Sequence, residues 1–241
     1  MDGTAPSIET IEPPPGRFIN TTTPTIRVQY HDRDGVDLST LRVLINGVDR
    51  SALFTKGATE AFATLDASSA LPQGMVEVTS TIRDVGGNTA ASTSSFVVDT
   101  EMPALEIVQP GLDQYTSATV IDVGGTVTDA SPASVTVNGV DASVTGSSFT
   151  ATNVPIGSGP DVDLVVLATD AAGNTARLSR VVHVDRDAPL MQVDRPAAGA
   201  FISSAAIAVS GTVSDASVVV VRVNGVSAAV ADGTFTATVP A

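Results

Sequence analysis

Acidic side chains hold most of the chemical potential in this 241-residue chain. It carries 26 Asp and Glu against 12 Lys and Arg, a formal charge of −14, with two histidines and no cysteine. Carboxylates suit cation ligation or general acid–base work. Other chemistries have little to draw on. Without cysteine there are no disulfides, thiolate zinc sites or thiol nucleophiles. His31 and His183 lie a whole repeat apart, and neither a G-x-S-x-G elbow nor a P-loop occurs. Paired acids for glycoside hydrolysis need a cleft at a set separation, and thin sheets rarely offer one. Asp32-Arg33-Asp34-Gly35-Val36-Asp37 falls short of an EF-hand loop, with Gly too early and no closing Glu, so a plain turn is expected. The chain is therefore expected not to be an enzyme.

The acids recur with a repeat. Asp-x-x-Gly-Asn stands at Asp84–Asn88 and again 86 residues later at Asp170–Asn174. "VVDTEMP", ending at Pro103, and "HVDRDAP", ending at Pro189, keep the same spacing. Asn46-Gly47, Asn138-Gly139 and Asn224-Gly225 sit in matching contexts, 92 and 86 residues apart. Repetition at this scale marks an array of supersecondary units. In the second copy, "ALEIVQP", "ATVIDVGGTVTD", "ASVTVNG", "VDASVTG", "SSFTATNVP", "DVDLVVLATD" and "TARLSRVVHVD" read as about seven short strands. Turn residues separate them and no helical period is sustained. Each Asn-Gly pair fits a type I′ turn, and each Gly-Asn pair a similar hairpin after the sixth strand. The phenylalanines read mostly as core or inter-strand residues, Phe149 and Phe235 most clearly because they are equivalent. The fold class is all-β: tandem immunoglobulin-like β-sandwiches arranged end to end. The expected domains are 1–99, 100–187 and 188–241, the last truncated after about five strands. Further repeats of a longer chain are expected to follow.

The motifs D-x-x-G-N-x-A (Asp84–Ala90, Asp170–Ala176), V-D-x-x-x-P (Val98–Pro103, Val184–Pro189) and V-x-V-N-G (Val135–Gly139, Val221–Gly225) resemble the immunoglobulin-like repeats of large bacterial secreted and cell-surface proteins. The resemblance covers essentially the whole chain. It implies a non-catalytic structural or adhesion module, a stalk that spaces or presents other domains. A carbohydrate- or protein-binding module, or an accessory region of a larger secreted enzyme or toxin, is the alternative. It also implies a bacterial extracellular or cell-surface location. Antibody-type domains differ in having a Cys pair and a core Trp.

In such a sandwich, the loops after strands two, four and six share a pole with the entering linker. For the second copy that pole should gather Asp99 and Glu101 from the linker, Asp129 from the loop after strand two, and Asp170 and Asn174 from the last hairpin. For the third it should gather Asp185, Asp187 and Asp215, and for the first Asp2, Asp32, Asp34 and Asp84. Converging carboxylates repel unless they spread, accept hydrogen bonds or bind a cation. Two readings stand side by side. In one, the acids are turn residues accepting backbone N–H bonds. In the other, these residues hold Ca²⁺ at module junctions.

The acidic balance argues against nucleic acid and anionic lipid, which need clustered Arg and Lys. No apolar run approaches the length that spans a bilayer, so no membrane insertion is expected in this segment. A protein or glycan ligand is the remaining class of partner. Its preferred seat is the less regular "SALFTKGATEAFATL" of the first copy, with the chain's one lysine, Lys56.

Overall fold

The computed structural model describes residues 3–241. Strands make up nearly all of the regular structure, with one 3-10 turn at Ser51–Leu53. No helix among the described residues is long and apolar enough to cross a membrane. The chain divides into two compact units. One holds residues through Gln109 with Val123–Ala151 and Val165–Leu178; the other holds Pro110–Asp122, Thr152–Leu164 and Ser179–Ala241.

In the first unit the opening strands are β1 (Ser7–Glu12), β2 (Phe18–Ile19), β3 (Thr25–His31), β4 (Val36–Ile45), β5 (Val48–Asp49), β6 (Thr55–Lys56), β7 (Glu60–Thr64), β8 (Gly74–Asp84) and β9 (Thr89–Val98). They form two sheets, β1-β3-β7-β6 and β2-β9-β8-β4-β5. Alternation on the strands turns one face of each sheet inward. In β8, Val76, Val78, Ser80 and Ile82 are fully buried while Glu77 is exposed. Ile26, Val28, Tyr30, Leu41, Val43 and Phe96 belong to the shared core. Tyr30 is the one large polar tip in it. Its hydroxyl donates to Gly57 O and Glu60 O at 2.7 and 2.9 Å, which satisfies the buried O–H.

Next come β10 (Ala104–Gln109), β11 (Gln114–Thr116), β12 (Val120–Thr128), β13 (Ala133–Val137), β14 (Val140–Asp141), β15 (Ser143–Thr145), β16 (Ser148–Pro155), β17 (Asp161–Asp170) and β18 (Thr175–Val184). β10, β12, β16 and β15 form a sheet in that order. Within the first unit, β13 pairs with β17 and with β14. Within the second, β11 runs parallel to β18, Tyr115 opposite His183. The remaining strands are β19 (Leu190–Arg195), β20 (Ala206–Ser214), β21 (Arg222–Val223), β22 (Val226–Ser227), β23 (Ala229–Ala231) and β24 (Thr234–Pro240). They form the sheet β19-β20-β24-β23 and a β21–β22 ribbon.

Two features go beyond the expected seven strands. β2 and β11 are two- and three-residue strands, too short to show alternation. "VDASVTG" is two strands: β14 pairs with β13, while β15 pairs with β16 in the other sheet. The Asn-Gly turns are as expected. Asn46, Asn138 and Asn224 have φ of 50, 47 and 48°, and the following glycines 77, 81 and 83°. The Gly-Asn hairpins differ. Only Gly87 and Gly173 take positive φ there, and the asparagines act through their side chains. Phe149 and Phe235 are buried, but Phe201 lies in the loop before β20 and is fully exposed, against the expectation for it.

The repeats conserve a volume rather than a residue. β1, β10 and β19 all break register at one place, Thr10/Glu12, Ile107/Gln109 and Val193/Arg195. Opposite the residue before that break stand Val28, Gly125 and Gly211. Val28 in turn pairs with Ala61, and Gly211 with Phe235. A Cβ at Gly125 would run into the Glu106 carbonyl of β10 and lie 2.7 Å from Phe149 Cε1, and one at Gly211 would run into the Gln192 carbonyl of β19 and lie at the same distance from Phe235 Cε1. The first copy fills this spot with Val and Ala, the later copies with Gly under Phe. Gly125→Ala is therefore expected to destabilise by roughly 1–3 kcal/mol, the range for overpacking a tight site. Urea unfolding measures this. An unchanged midpoint would show that both the Glu106 carbonyl and the Phe149 ring can give way.

Candidate functional site

The turn aspartates show how the chain uses its acids. Asp170 ends β17. Its Oδ1 accepts N–H bonds from Gly173 at 2.7 Å and Asn174 at 2.8 Å, and its Oδ2 accepts from Asn174 Nδ2 at 2.8 Å. Asp84 ends β8 and repeats the pattern, with Asn88 N at 2.8 Å and Asn88 Nδ2 at 2.7 Å. Asp129, just after β12, accepts from Ser131 N and Oγ through Oδ1, both at 2.8 Å. Each carboxylate substitutes for a backbone acceptor and closes its turn.

Linker and loops meet at one place in the first unit. Asp99 directly follows β9, and a ligand oxygen from each of Asp99, Asp129 and Asp170 lies within 4.8 Å of the others. Asn174 Nδ2 also donates to Asp99 O at 2.8 Å, tying the linker backbone to the hairpin. Asp99 and Asp170 are buried, at 4% and 6% exposure, and Asp129 is half-buried. Asp99 Oδ1 accepts one bond, from Glu101 N at 3.2 Å, and its Oδ2 is buried without any partner. Glu101 itself is exposed and contributes its amide, not its carboxylate, to this cluster. Two unit charges at this separation repel by about 1–3.5 kcal/mol as the effective dielectric falls from 80 to 20.

The second unit repeats part of the arrangement. Asp187 N donates to Asp185 Oδ1 at 3.2 Å, and Ser217 N and Oγ donate to Asp215 Oδ1 at 2.9 and 2.6 Å. Asp185, Asp187 and Asp215 line one open depression of about 400 Å³ with Tyr115 and Ser217. Ser217 holds the Asp215 carboxyl below the usual carboxylate range, and a bond with Asp185 adds to this. In the first copy, Asp32 Oδ1 accepts from Asp34 N and Gly35 N at 2.8 and 3.1 Å, a plain turn. Asp34 contributes its amide to that turn, and Asp2 lies outside the described residues. The first copy's irregular loop folds back into its sheet. Phe54 is buried and Lys56 Nζ donates to Leu38 O at 2.9 Å.

One cluster had no forewarning in the sequence. His183 Nδ1 lies 2.6 Å from Asp161 Oδ1, His183 Nε2 lies 3.9 Å from Asp113 Oδ1, and the ring sits 4.8 Å from that of Tyr115. The parallel β11–β18 pairing makes it, and three-residue β11 carried no readable signal.

The sequence profile of the family described as glucodextranase, domain B, matches residues 103–186 and 189–239. Bacillopeptidase F of Bacillus subtilis is 31% identical over 177 residues, 70% of this chain and 12% of that protein; the chain thus spans about an eighth of its length. Among solved structures, a segment of three immunoglobulin domains from titin aligns over 99% of this chain and 89% of its own, at TM-score 0.52 and 8% identity. Fibronectin(III)-like modules of CbhA from Clostridium thermocellum align over 74% of this chain and 94% of theirs, at TM-score 0.45 and 13% identity.

The turn carboxylates make stability fall in acid. Hydroxyl and amide donors from Ser68 and Ser69 hold Asp66 down to about 2, and the Asn88 side chain, then its amide, hold Asp84 below its ordinary value. Folded pKa values below the unfolded value near 4 mean that the unfolded chain binds more protons. That stabilisation is complete above about pH 4 and is lost as pH falls toward about 2. Asp66→Asn should flatten the decline of the urea midpoint across this window. An equally steep decline in the variant would remove Asp66 as a contributor.

Proposed function

The chain belongs to the glucodextranase domain B family, and from that premise we propose that it is a non-catalytic immunoglobulin-like module of a larger bacterial protein, exported and acting at or beyond the cell surface as a spacer between other domains. The observation that carries this reading is the repetition itself. The strand order of one four-stranded sheet, its register break and the Asn-Gly turn recur down the chain. A spacer needs one unit copied. A catalytic centre needs one copy to diverge around a cleft, and at the bulge the copies exchange residues in a way that conserves packing volume instead.

Both the family and the Bacillus subtilis relative carry enzyme names. This supports an accessory place beside a catalytic domain at least as well as a place in an adhesive stalk. The Pro103 and Pro189 linkers are short and suit a stiff connection. The acid-rich surface favours solubility and is poorly matched to nucleic acid.

The purified chain is expected to release no product from glucodextran or casein and to show no saturable retention on a glycan array. Turnover of either polymer would sink the non-catalytic reading. Saturable glycan binding would replace the spacer with a carbohydrate-binding module.

A further inference from the structure

We propose that Asp99, Asp129 and Asp170 form a binding site for a hard divalent cation of the calcium class. Two independent observations point to it. The three carboxylates each bring an oxygen within 4.8 Å of the other two. Asp99, only 4% exposed, also buries an Oδ2 that has no hydrogen-bond partner. An anionic oxygen removed from water and left unpaired is strongly unfavourable, and a cation is the group that offsets it. No ion pair of the described residues reaches any of the three; those that form involve Arg27, Arg42 and His183.

The surroundings are built for ligation. Ser131 fixes Asp129, and the Gly173 and Asn174 amides fix Asp170, so both carboxylates are pre-positioned. Asn174 holds the Asp99 carbonyl as well. All-oxygen donors select calcium, magnesium or manganese over zinc or copper. Calcium accepts irregular geometry and completes its six to eight ligands with carbonyls and water, whereas magnesium demands a tight octahedron. Asp129 also lines an open depression of about 400 Å³, which gives an ion a path from solvent. A cation bound at this point ties the end of β9 to the turn after β12 and to the β17–β18 hairpin. It fixes the linker whether or not the module is a spacer.

The test is a Ca²⁺ titration of the full chain after chelation, read by calorimetry and by amide resonances. Saturable binding is expected with a Kd of roughly 0.1–1 mM, the range of extracellular calcium modules. Resonances of Glu101, Ser131, Gly173 and Asn174 should move with the same Kd. Asp99→Asn should abolish both responses. In chelator it should nevertheless melt at or above the wild-type temperature, because the amide removes repulsion without changing shape. That combination separates a ligand from a residue that only supports the fold. Asp129→Asn, which keeps an oxygen for Ser131, should lose binding too and carries the same readouts if Asp99→Asn does not fold. Absence of saturable binding up to about 10 mM would overturn the site. So would wild-type binding by both variants, or resonance changes confined to other residues.

Discussion

The fold depends on a carboxylate standing in for a backbone acceptor at the ends of strands. Asp37, Asp49, Asp66, Asp84, Asp129, Asp170 and Asp215 each accept bonds from residues two to four places on. Every sandwich must reverse its chain many times, and each reversal strands amide donors that no ladder pairs. A short acidic side chain satisfies them locally. Much of the charge of −14 is therefore turn chemistry distributed over the sandwich ends, not an electrostatic signature of a ligand.

The same economy of small side chains governs the interior. Without tryptophan, and with few aromatics, the sheets approach over Val, Ile, Leu and Ala. Where a phenylalanine does enter, as Phe149 and Phe235, a glycine beneath it gives up its Cβ. Where alanine takes that place, as Ala61, valine returns opposite it. Close packing preserves the sum across the pair, so copies of low mutual identity keep one register and one bulge.

The legible part of the fold was the part written in backbone-restricted residues. Asn-Gly pairs need positive φ twice and so located three hairpins from sequence alone. The ten-residue strand β17 was equally plain. Strands of two or three residues, β2 and β11, carry too few positions for a period, and the β14–β15 sheet switch hides inside one apparent strand. At the site, topology alone placed Asp99, Asp129 and Asp170 at one pole. Glu101 was indistinguishable from them in sequence, because side-chain direction after a strand end depends on backbone that no pattern encodes. Phe201 was misread for a related reason: a hydrophobic residue in a loop has no alternation to say which way it faces.

What separates the Asp99 cluster from the other acids is that its members are not equally satisfied. Asp170 accepts bonds on both oxygens and, like Asp84, would be stable as a turn residue alone. Asp99 has one long bond and one bare oxygen in a buried setting. Turn chemistry explains why Asp170 and Asp129 are where they are, but not why a third carboxylate from the linker is brought against them. The pair Asp185 and Asp215 repeats the linker-and-loop part of this arrangement. Two carboxylates can share a hydrogen bond and stay open to solvent. Three carboxylates drawn within 4.8 Å, one of them with a buried, unpaired oxygen, cannot, and that difference gives this cluster a reason to recruit a cation.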